Sequence, residues 1–260
     1  TASAPAPAAQ PAAPAPTMKK VRKYDMWGTI DHVPYQGARK AVGDLMSKSK
    51  QTAPHVTHTD MLDASALKSL RQAEKEKGNT VSYVALVMKA VARALKEHRY
   101  LNATLDDENK DIILKNYWSI AFAVDTPNGL YAPVVKRVNQ KTAAEVTAEI
   151  TALAQKALDR SLDPMDMKGS TFTITNVGSV GGLFFTPIIN YPEVAILGMG
   201  RLHDAPIAKE GQVTVAPLIP LSLSFDHRVI DGAEGARFTA KVMELLQDPA
   251  SLMEAEDKVG

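Results

Sequence analysis

The 260-residue sequence predicts an α/β or α+β sandwich, a mixed sheet flanked by helices. Two observations lead there. Segments with an apolar stripe at helical spacing alternate with short extended runs, but without the strict strand–helix–strand rhythm of a barrel or a doubly wound sheet. After its first residues the chain has no repeat and no second linker, so one domain accounts for it.

The elements follow in order. The first sixteen residues, TASAPAPAAQPAAPAP, hold eight alanines and five prolines. Proline keeps such a stretch extended and removes donors, which makes a semi-rigid linker. A linker joins things, so a further N-terminal module is expected. MKKVRK, at 18–23, reads as a solvated basic hinge. The linker is thus expected over 1–23 and the folded domain over 24–260. Residues 36–50 carry Ala38, Ala41, Val42 and Leu45 on one helical face. HVTHTDMLDAS, at 55–65, alternates like a strand and then meets Asp63 and Ser65, good caps for a helix running to about Lys77. Gly78-Asn79 closes that helix. Val84, Val87, Met88, Val91 and Leu95 form the stripe of a longer helix over 83–98. Short strands are expected at 103–105, 112–114 and 118–124, with DDENKD (106–111) as a solvated hairpin turn. DTPNGL (125–130) is turn chemistry, and YAPVV resumes extended structure. A helix over 142–158 has Val146, Ile150, Leu153 and Ala157 on one face. Strands then dominate at 171–175, 194–197, 213–215 and 218–225, and a last helix spans about 233–246.

Composition excludes several classes of function. Apolar residues at 45% and charged residues at 23% suit a sizeable core. A net charge of +1 gives no field for nucleic acid or an acidic membrane. The absence of cysteine rules out disulfides, a thiolate metal site and a cysteine nucleophile. No apolar run approaches the ~18 residues of a membrane span, and the N-terminus lacks the apolar stretch of a signal peptide.

Chemistry concentrates in two places. In LSLSFDHRVIDGAEGARF (221–238), Leu221, Leu223 and Phe225 alternate with Ser222 and Ser224, the period of a half-buried strand. That strand runs into Asp226-His227-Arg228 and then Asp231-Gly232. A strand end is a rigid platform, and an imidazole titrates near ~6.5, which suits proton transfer. The pattern alone leaves His227 open as a catalytic base or as a buried, satisfied histidine. In TITNVGSVGGLFFTP (173–187), Gly178, Gly181 and Gly182 follow a strand, but neither a phosphate loop nor a dinucleotide fingerprint is present. The glycines read as a turn. Thr175 stands out, because a hydroxyl at a strand end can donate to a developing oxyanion. His55 and His58 are three apart and face opposite sides of a strand, so no metal pair is expected. His32, His98 and His203 read as surface positions. No G-x-S-x-G elbow occurs.

With their surroundings these stretches resemble one family. LSLSFDHRVIDGAEGARF, FTITNVGSVGGLFFTPIINYPEVAILGMGR and APHVTHTDMLD look like the inner-core catalytic domain of dihydrolipoamide acyltransferases, the E2 components of 2-oxo-acid dehydrogenase complexes. The resemblance runs from about Tyr24 to the C-terminus, and D-H-R-x-x-D-G is its most specific part. It implies a chloramphenicol-acetyltransferase-like α/β sandwich. It implies homotrimers that build a cubic or icosahedral cage, with the active site in a channel at the subunit boundary. The substrates would be coenzyme A and an acylated lipoyl arm. The lipoyl domain and the links to the E1 dehydrogenase and E3 components would lie in N-terminal modules. The compartment implied is the cytoplasm of a bacterium or archaeon, or the mitochondrial matrix of a eukaryote.

By the same resemblance His227 is the general base and Thr175, where many relatives carry serine, the oxyanion donor. Asp231, asparagine in some relatives, would fix the structure around the histidine through an arginine. Coenzyme A contacts fall on Arg71, Ser82, Asp125 and Gly200; a glutamine contact of some relatives aligns with Ala154 and is not carried over. GGLFFTPIINYPEVAILGMGR looks more like acetyl-transferring cores than succinyl-transferring ones. A branched-chain acyltransferase core, a free antibiotic-type acetyltransferase trimer and a non-catalytic cage subunit are the alternatives.

Overall fold

A seven-stranded mixed sheet has one face under the helices and the other under a helix and a loop, and this arrangement positions the candidate site. The structure is a computed structural model and describes residues 20–127 and 129–256. The predicted Ala/Pro linker lies outside the described residues. In chain order the elements are β1 (Val21–Tyr24), β2 (Thr29–His32), α1 (Gly37–Thr52), β3 (His55–Asp63), α2 (Ser65–Glu76), α3 (Tyr83–Glu97), β4 (Ala103–Asp106) and β5 (Asp111–Leu114). They continue with β6 (Ile120–Phe122), β7 (Val124–Thr126), β8 (Gly129–Tyr131), β9 (Val134–Val135) and α4 (Ala143–Leu158). The chain ends with β10 (Phe172–Asn176), β11 (Ala195–Met199), β12 (His203–Lys209), β13 (Gln212–Asp226) and α5 (Gly232–Gln247).

The sheet order is β12-β13-β11-β10-β6-β9, with β3 also on β13. β10 runs parallel to β6 and β11, and the remaining pairs are antiparallel, as the predicted mixed sheet requires. Three hairpins, β1–β2, β4–β5 and β7–β8, stand outside it.

Most predicted elements form where the periodicity puts them. Thr142 and Glu145 make a reciprocal capping box at the start of α4, and Ser82 Oγ accepts the Ala85 N–H to start α3. Gly78, at φ +84°, ends the helix before it as only glycine does readily. Four differences have physical reasons. Residues 21–23 of the expected hinge are strand instead: β1 crosses the expected boundary at residue 23 and pairs with β2. The Asp25 carboxylate accepts the N–H groups of Trp27 and Gly28 (2.9 and 3.0 Å) and makes that turn. The predicted strand over 118–124 breaks at Ala123, whose N–H goes to Ile174 O, giving β6 and β7. β12, which the sequence does not signal, has little apolar alternation and contains Pro206; as an edge strand it tolerates both. Two expected strands merge into β13, because the carbonyls of Pro217 and Pro220 accept from Ala64 and Gly200 while the prolines need donate nothing.

The predicted half-buried strand is buried on both faces from Leu218 to Asp226. Leu221, Leu223 and Phe225 join the main core with α3 and α5. Ser222 and Ser224 face the other way and are buried too, with Ser224 Oγ 2.7 Å from Thr57 Oγ1. On that second face Ile196, opposite Ser224, packs with Ala53 at the end of α1 and with Ile189. The loop and helix therefore cover a face that alternation alone assigns to water.

α5 sits tightly on Phe225. A Cβ at Gly235 would lie 2.6 Å from that ring. On propensity Gly235→Ala would stabilise a helix by up to about 1 kcal/mol, but overpacking a fully buried aromatic costs about 1–3 kcal/mol. The steric term wins, so Gly235→Ala should lower the midpoint of chemical denaturation. A raised midpoint would mean that Phe225 moves freely.

Candidate functional site

β13 ends in a tight turn that presents His227. The Asp226 carbonyl accepts the N–H groups of Val229 and Ile230, both at 3.0 Å, and the His227 N–H donates to Pro54 O. The Asp226 carboxylate is buried, which is costly unless it is paired and hydrogen-bonded. Arg228 supplies the pairing: its Nε and Nη2 donate to Asp226 at 3.0 and 2.7 Å, and its backbone N–H adds a third bond. Its Nη1 reaches Asp107 at 2.8 Å, in the turn between β4 and β5. The bonds to Asp226 raise the Arg228 pKa further above its ordinary value. The acidic hairpin is therefore part of the scaffold that braces this turn, a role its solvated composition did not reveal.

On this braced turn the His227 side chain is exposed, its ring 6.0 Å from that of Phe225. It is not the buried, satisfied histidine. Asp231 differs from expectation. It occupies the N-cap position of α5, but its exposed carboxylate makes no hydrogen bond to a described residue, and the arginine belongs to Asp226. A buried carboxylate gains more from a guanidinium than a hydrated one does.

Thr175 lies on β10 and lines a cavity of about 550 Å³. Its walls are Ala38, Ala41, Val42, Leu45 and Met46 from α1, Leu130 and Tyr131 from β8, and Phe185, Pro187 and Ile188 from the loop after β10. The predicted stripe of α1 thus faces a cavity. Gly198, beside Thr175 in the sheet, is required there: a Cβ would meet the Phe185 ring at 2.6 Å. A largely apolar cavity that holds the Thr175 hydroxyl is where a hydrogen bond to a developing charge is worth most.

The two predicted catalytic side chains do not meet within one chain. Thr175 is level with Gly198 and Ser222, while His227 lies past the far end of β13. At about 3.3 Å per residue and about 4.8 Å per strand, this puts them roughly 15–20 Å apart. Of the expected coenzyme A contacts, Arg71 and Ser82 are neighbours. Arg71 Nε donates to Val81 O at 2.8 Å, and its guanidinium stacks 4.0 Å over Tyr83, in a concavity also lined by Lys68 and Lys75. Asp125 is exposed on β7, opposite the cavity residue Leu130. Gly200 is a packing residue in this chain, since a Cβ would lie 2.0 Å from Leu183 O.

Three more groups escaped the sequence reading. Glu193 is buried behind the cavity, where Thr173 Oγ1 donates to it at 2.6 Å and Asn190 Nδ2 at 3.2 Å; Thr173 and Asn190 both line the cavity. Burial pushes its carboxyl up to about 7, against the hydroxyls of Ser170 and Thr173 and the Asn190 amide, which pull it down. His55 contacts the same wall through the N–H of Ile189. His98 is no surface residue: its Nδ1 is 2.8 Å from the Glu234 carboxylate, and its ring packs edge-on to Phe238. None lies in a distinctive local motif, because each partner is distant in sequence. No group of three or more histidine, cysteine or acidic side chains among the described residues could hold a metal ion.

The sequence pattern of the family described as 2-oxoacid dehydrogenases acyltransferase (catalytic domain) matches residues 28–254. The chain belongs to that acyltransferase family. Its relatives include the dihydrolipoyllysine-residue acetyltransferase component of the pyruvate dehydrogenase complex of Bacillus subtilis (strain 168), 46% identical over 84% of this chain and 51% of that protein. The chain spans about half the length of the curated relatives it matches. Among solved structures, the Azotobacter vinelandii dihydrolipoamide acetyltransferase has a TM-score of 0.84 at 36% identity, covering 93% of this chain and all of that one. The cubic core of a pyruvate dehydrogenase multienzyme complex has the same TM-score at 37% identity and the same coverage. A chloramphenicol acetyltransferase, 16% identical with a TM-score of 0.52 over 81% of this chain and 96% of that one, shares the fold. The expected sandwich is thus the acyltransferase fold of this family.

For this acyltransferase domain the Glu193 carboxyl gives a pH test. Its folded form keeps a proton up to about pH 7, whereas an unfolded glutamate loses it near ~4.3. Between these values the unfolded state binds fewer protons, so stability falls as pH rises and stays lower above the window. Glu193→Gln removes that titration. The melting temperature of the variant relative to wild type should be higher at pH 8 than at pH 5; an equal difference at both would rule out a protonated Glu193.

Proposed function

We propose that this domain transfers an acyl group, most simply acetyl, from a dihydrolipoyl thiol to coenzyme A, at sites completed between neighbouring copies. The observation that carries this reading is the division of the site. One end of the sheet offers an exposed imidazole on a braced turn, and the other a largely apolar cavity lined by the Thr175 hydroxyl. Each is half of a thioester-exchange site. Two further facts support it. The Azotobacter vinelandii structure belongs to an investigation of a serine, a histidine and an asparagine in the catalytic mechanism; their spacings along that chain equal those of Thr175, His227 and Asp231 here. Similarity to a cubic core supports an assembly in which copies adjoin.

The chemistry follows from the residues. His227 takes the proton of the coenzyme A thiol, a step worth about 10²–10⁴ in rate. The thiolate sulfur attacks the carbonyl carbon of the acyl-dihydrolipoyl thioester, forming a carbon–sulfur bond. The oxygen becomes negative and accepts a hydrogen bond from the Thr175 hydroxyl, worth about 3–4 kcal/mol. Collapse breaks the bond to the dihydrolipoyl sulfur, and the imidazolium returns its proton to that leaving thiolate. Without cysteine no cysteinyl acyl-enzyme forms, so direct transfer with both substrates bound is the economical path. Coenzyme A would pass between α2 and the Ser82 end of α3, where Lys68, Arg71 and Lys75 of α2 suit phosphates. The lipoyl arm would come from a lipoyl domain, with E1 and E3 as partners. The cavity favours a small apolar acyl group, and comparing acetyl with branched-chain donors tests its size.

His227→Ala should lower kcat for acetyl-dihydrolipoamide and coenzyme A by about two orders of magnitude or more with particle size unchanged; retention of most activity would remove His227 from the mechanism. Thr175→Ala should also lower kcat, and Thr175→Ser should restore it, because only the hydroxyl is needed. Co-refolded His227→Ala and Thr175→Ala chains, shown by mass to be mixed, should recover activity well above either parent. Mixtures as inactive as the parents would place both residues in one chain's site.

A further inference from the structure

Residues 187–190 form one wall of the cavity, and Ile189, between the lining residues Ile188 and Asn190, points away from it into the small cluster with Ala53 and Ile196. Both its backbone polar atoms are held by distant side chains. Its N–H donates to His55 Nε2 at 3.0 Å, and its carbonyl accepts from Ser49 Oγ at 2.7 Å. His55 Nδ1 is 2.7 Å from Ala53 O. A carbonyl only accepts and an N–H only donates, so both contacts are satisfied by a single form: neutral imidazole with its proton on Nδ1.

Residues 53–55 also reach the other candidate half-site. His55 stands opposite Asp226 in the sheet, and Pro54 O takes the His227 N–H. The Ala53 N–H closes the end of α1 on Ser49 O. Residues 53–55 thus join the cavity-lining helix, the cavity wall and the histidine turn.

We propose that His55 is a positioning residue for acyl transfer: its Nε2 fixes the wall that seats the acyl donor, in one frame with the His227 turn. The inference rests on the reading that this cavity receives the donor. It distinguishes His55 from a merely stabilising residue, because the wall belongs to one substrate. Losing the acceptor frees the wall and weakens donor binding, while coenzyme A binding is untouched.

Two amides separate the roles of the two nitrogens. In His55→Gln the side-chain oxygen reaches the former Nε2 position and can accept from Ile189. In His55→Asn the shorter amide reaches only the Nδ1 position and serves Ala53 O. His55→Asn should raise the KM for acetyl-dihydrolipoamide about tenfold, with kcat within about threefold and the KM for coenzyme A unchanged. His55→Gln should return the donor KM to within about twofold of wild type. Hydrogen exchange at the Ile189 amide should be faster in the Asn variant and near wild type in the Gln variant. If the two variants behave alike, or if only thermal stability changes, the proposal is overturned. Should His55→Asn fail to assemble, Ser49→Ala removes the other tether and should raise the same KM; an unchanged value overturns the proposal as well. If wild type transfers no acyl group, the functional reading fails, and the exchange contrast still tests the hold on Ile189.

Discussion

A fifteen-residue strand paired with three others limits where everything else can go. β13 pairs with β3, β11 and β12, and its C-terminal half is buried on both faces. Because side chains alternate with a period of two, slipping the register by one would bring Ser222 and Ser224 into the core and turn out Leu221, Leu223 and Phe225. The register is therefore strongly specified, and the turn after Asp226 is placed with it. Phe225 locates α5 through Gly235, and Asp226 locates Arg228 and, through it, the β4–β5 hairpin.

The same alternation divides the chemistry. One face of the sheet is a hydrocarbon core beneath α3 and α5. The other carries hydroxyls, small residues and the cavity, with Thr173, Thr175, Ser222 and Ser224 along it. Polar groups buried there are mostly paired with one another, as Thr57 with Ser224 and Thr173 with Glu193. Such networks rigidify a surface when every member is satisfied. The Ser222 hydroxyl is an exception without a partner among the described residues.

Sheet geometry also explains why the two candidate catalytic side chains lie apart in one chain. β10 and β13 run antiparallel across β11, so their C-terminal ends fall at opposite edges. A base at one strand end and a hydroxyl at the other cannot converge without bending the sheet. In the proposed assembly, adjoining copies would bring such ends together at no cost in local strain. The proposed shared site follows from this constraint, and so does the value of a rigid link such as residues 53–55 between the two edges.

Much of this was legible in the sequence. Apolar periodicity placed the five α-helices of the described residues and most strands of the large sheet, and the His227 and Thr175 stretches marked the two candidate half-sites. These are local properties, fixed by neighbours a few residues apart. The β1–β2 hairpin and β12 were not legible, since short or proline-containing edge strands carry little periodic signal. Nor were the contacts of Asp107, His55 and Glu193. Each depends on a partner far along the chain: Arg228 for Asp107, Ile189 for His55, Thr173 for Glu193. The sequence by itself determined which residues are helical, which strand ends are the candidates for chemistry and that these 260 residues include no cysteine. Only the tertiary structure decided that Ser222 and Ser224 are buried, that Asp226 rather than Asp231 holds the arginine, and that His227 and Thr175 lie apart. Those outcomes are set by what covers each face of the sheet, and no local pattern encodes the cover.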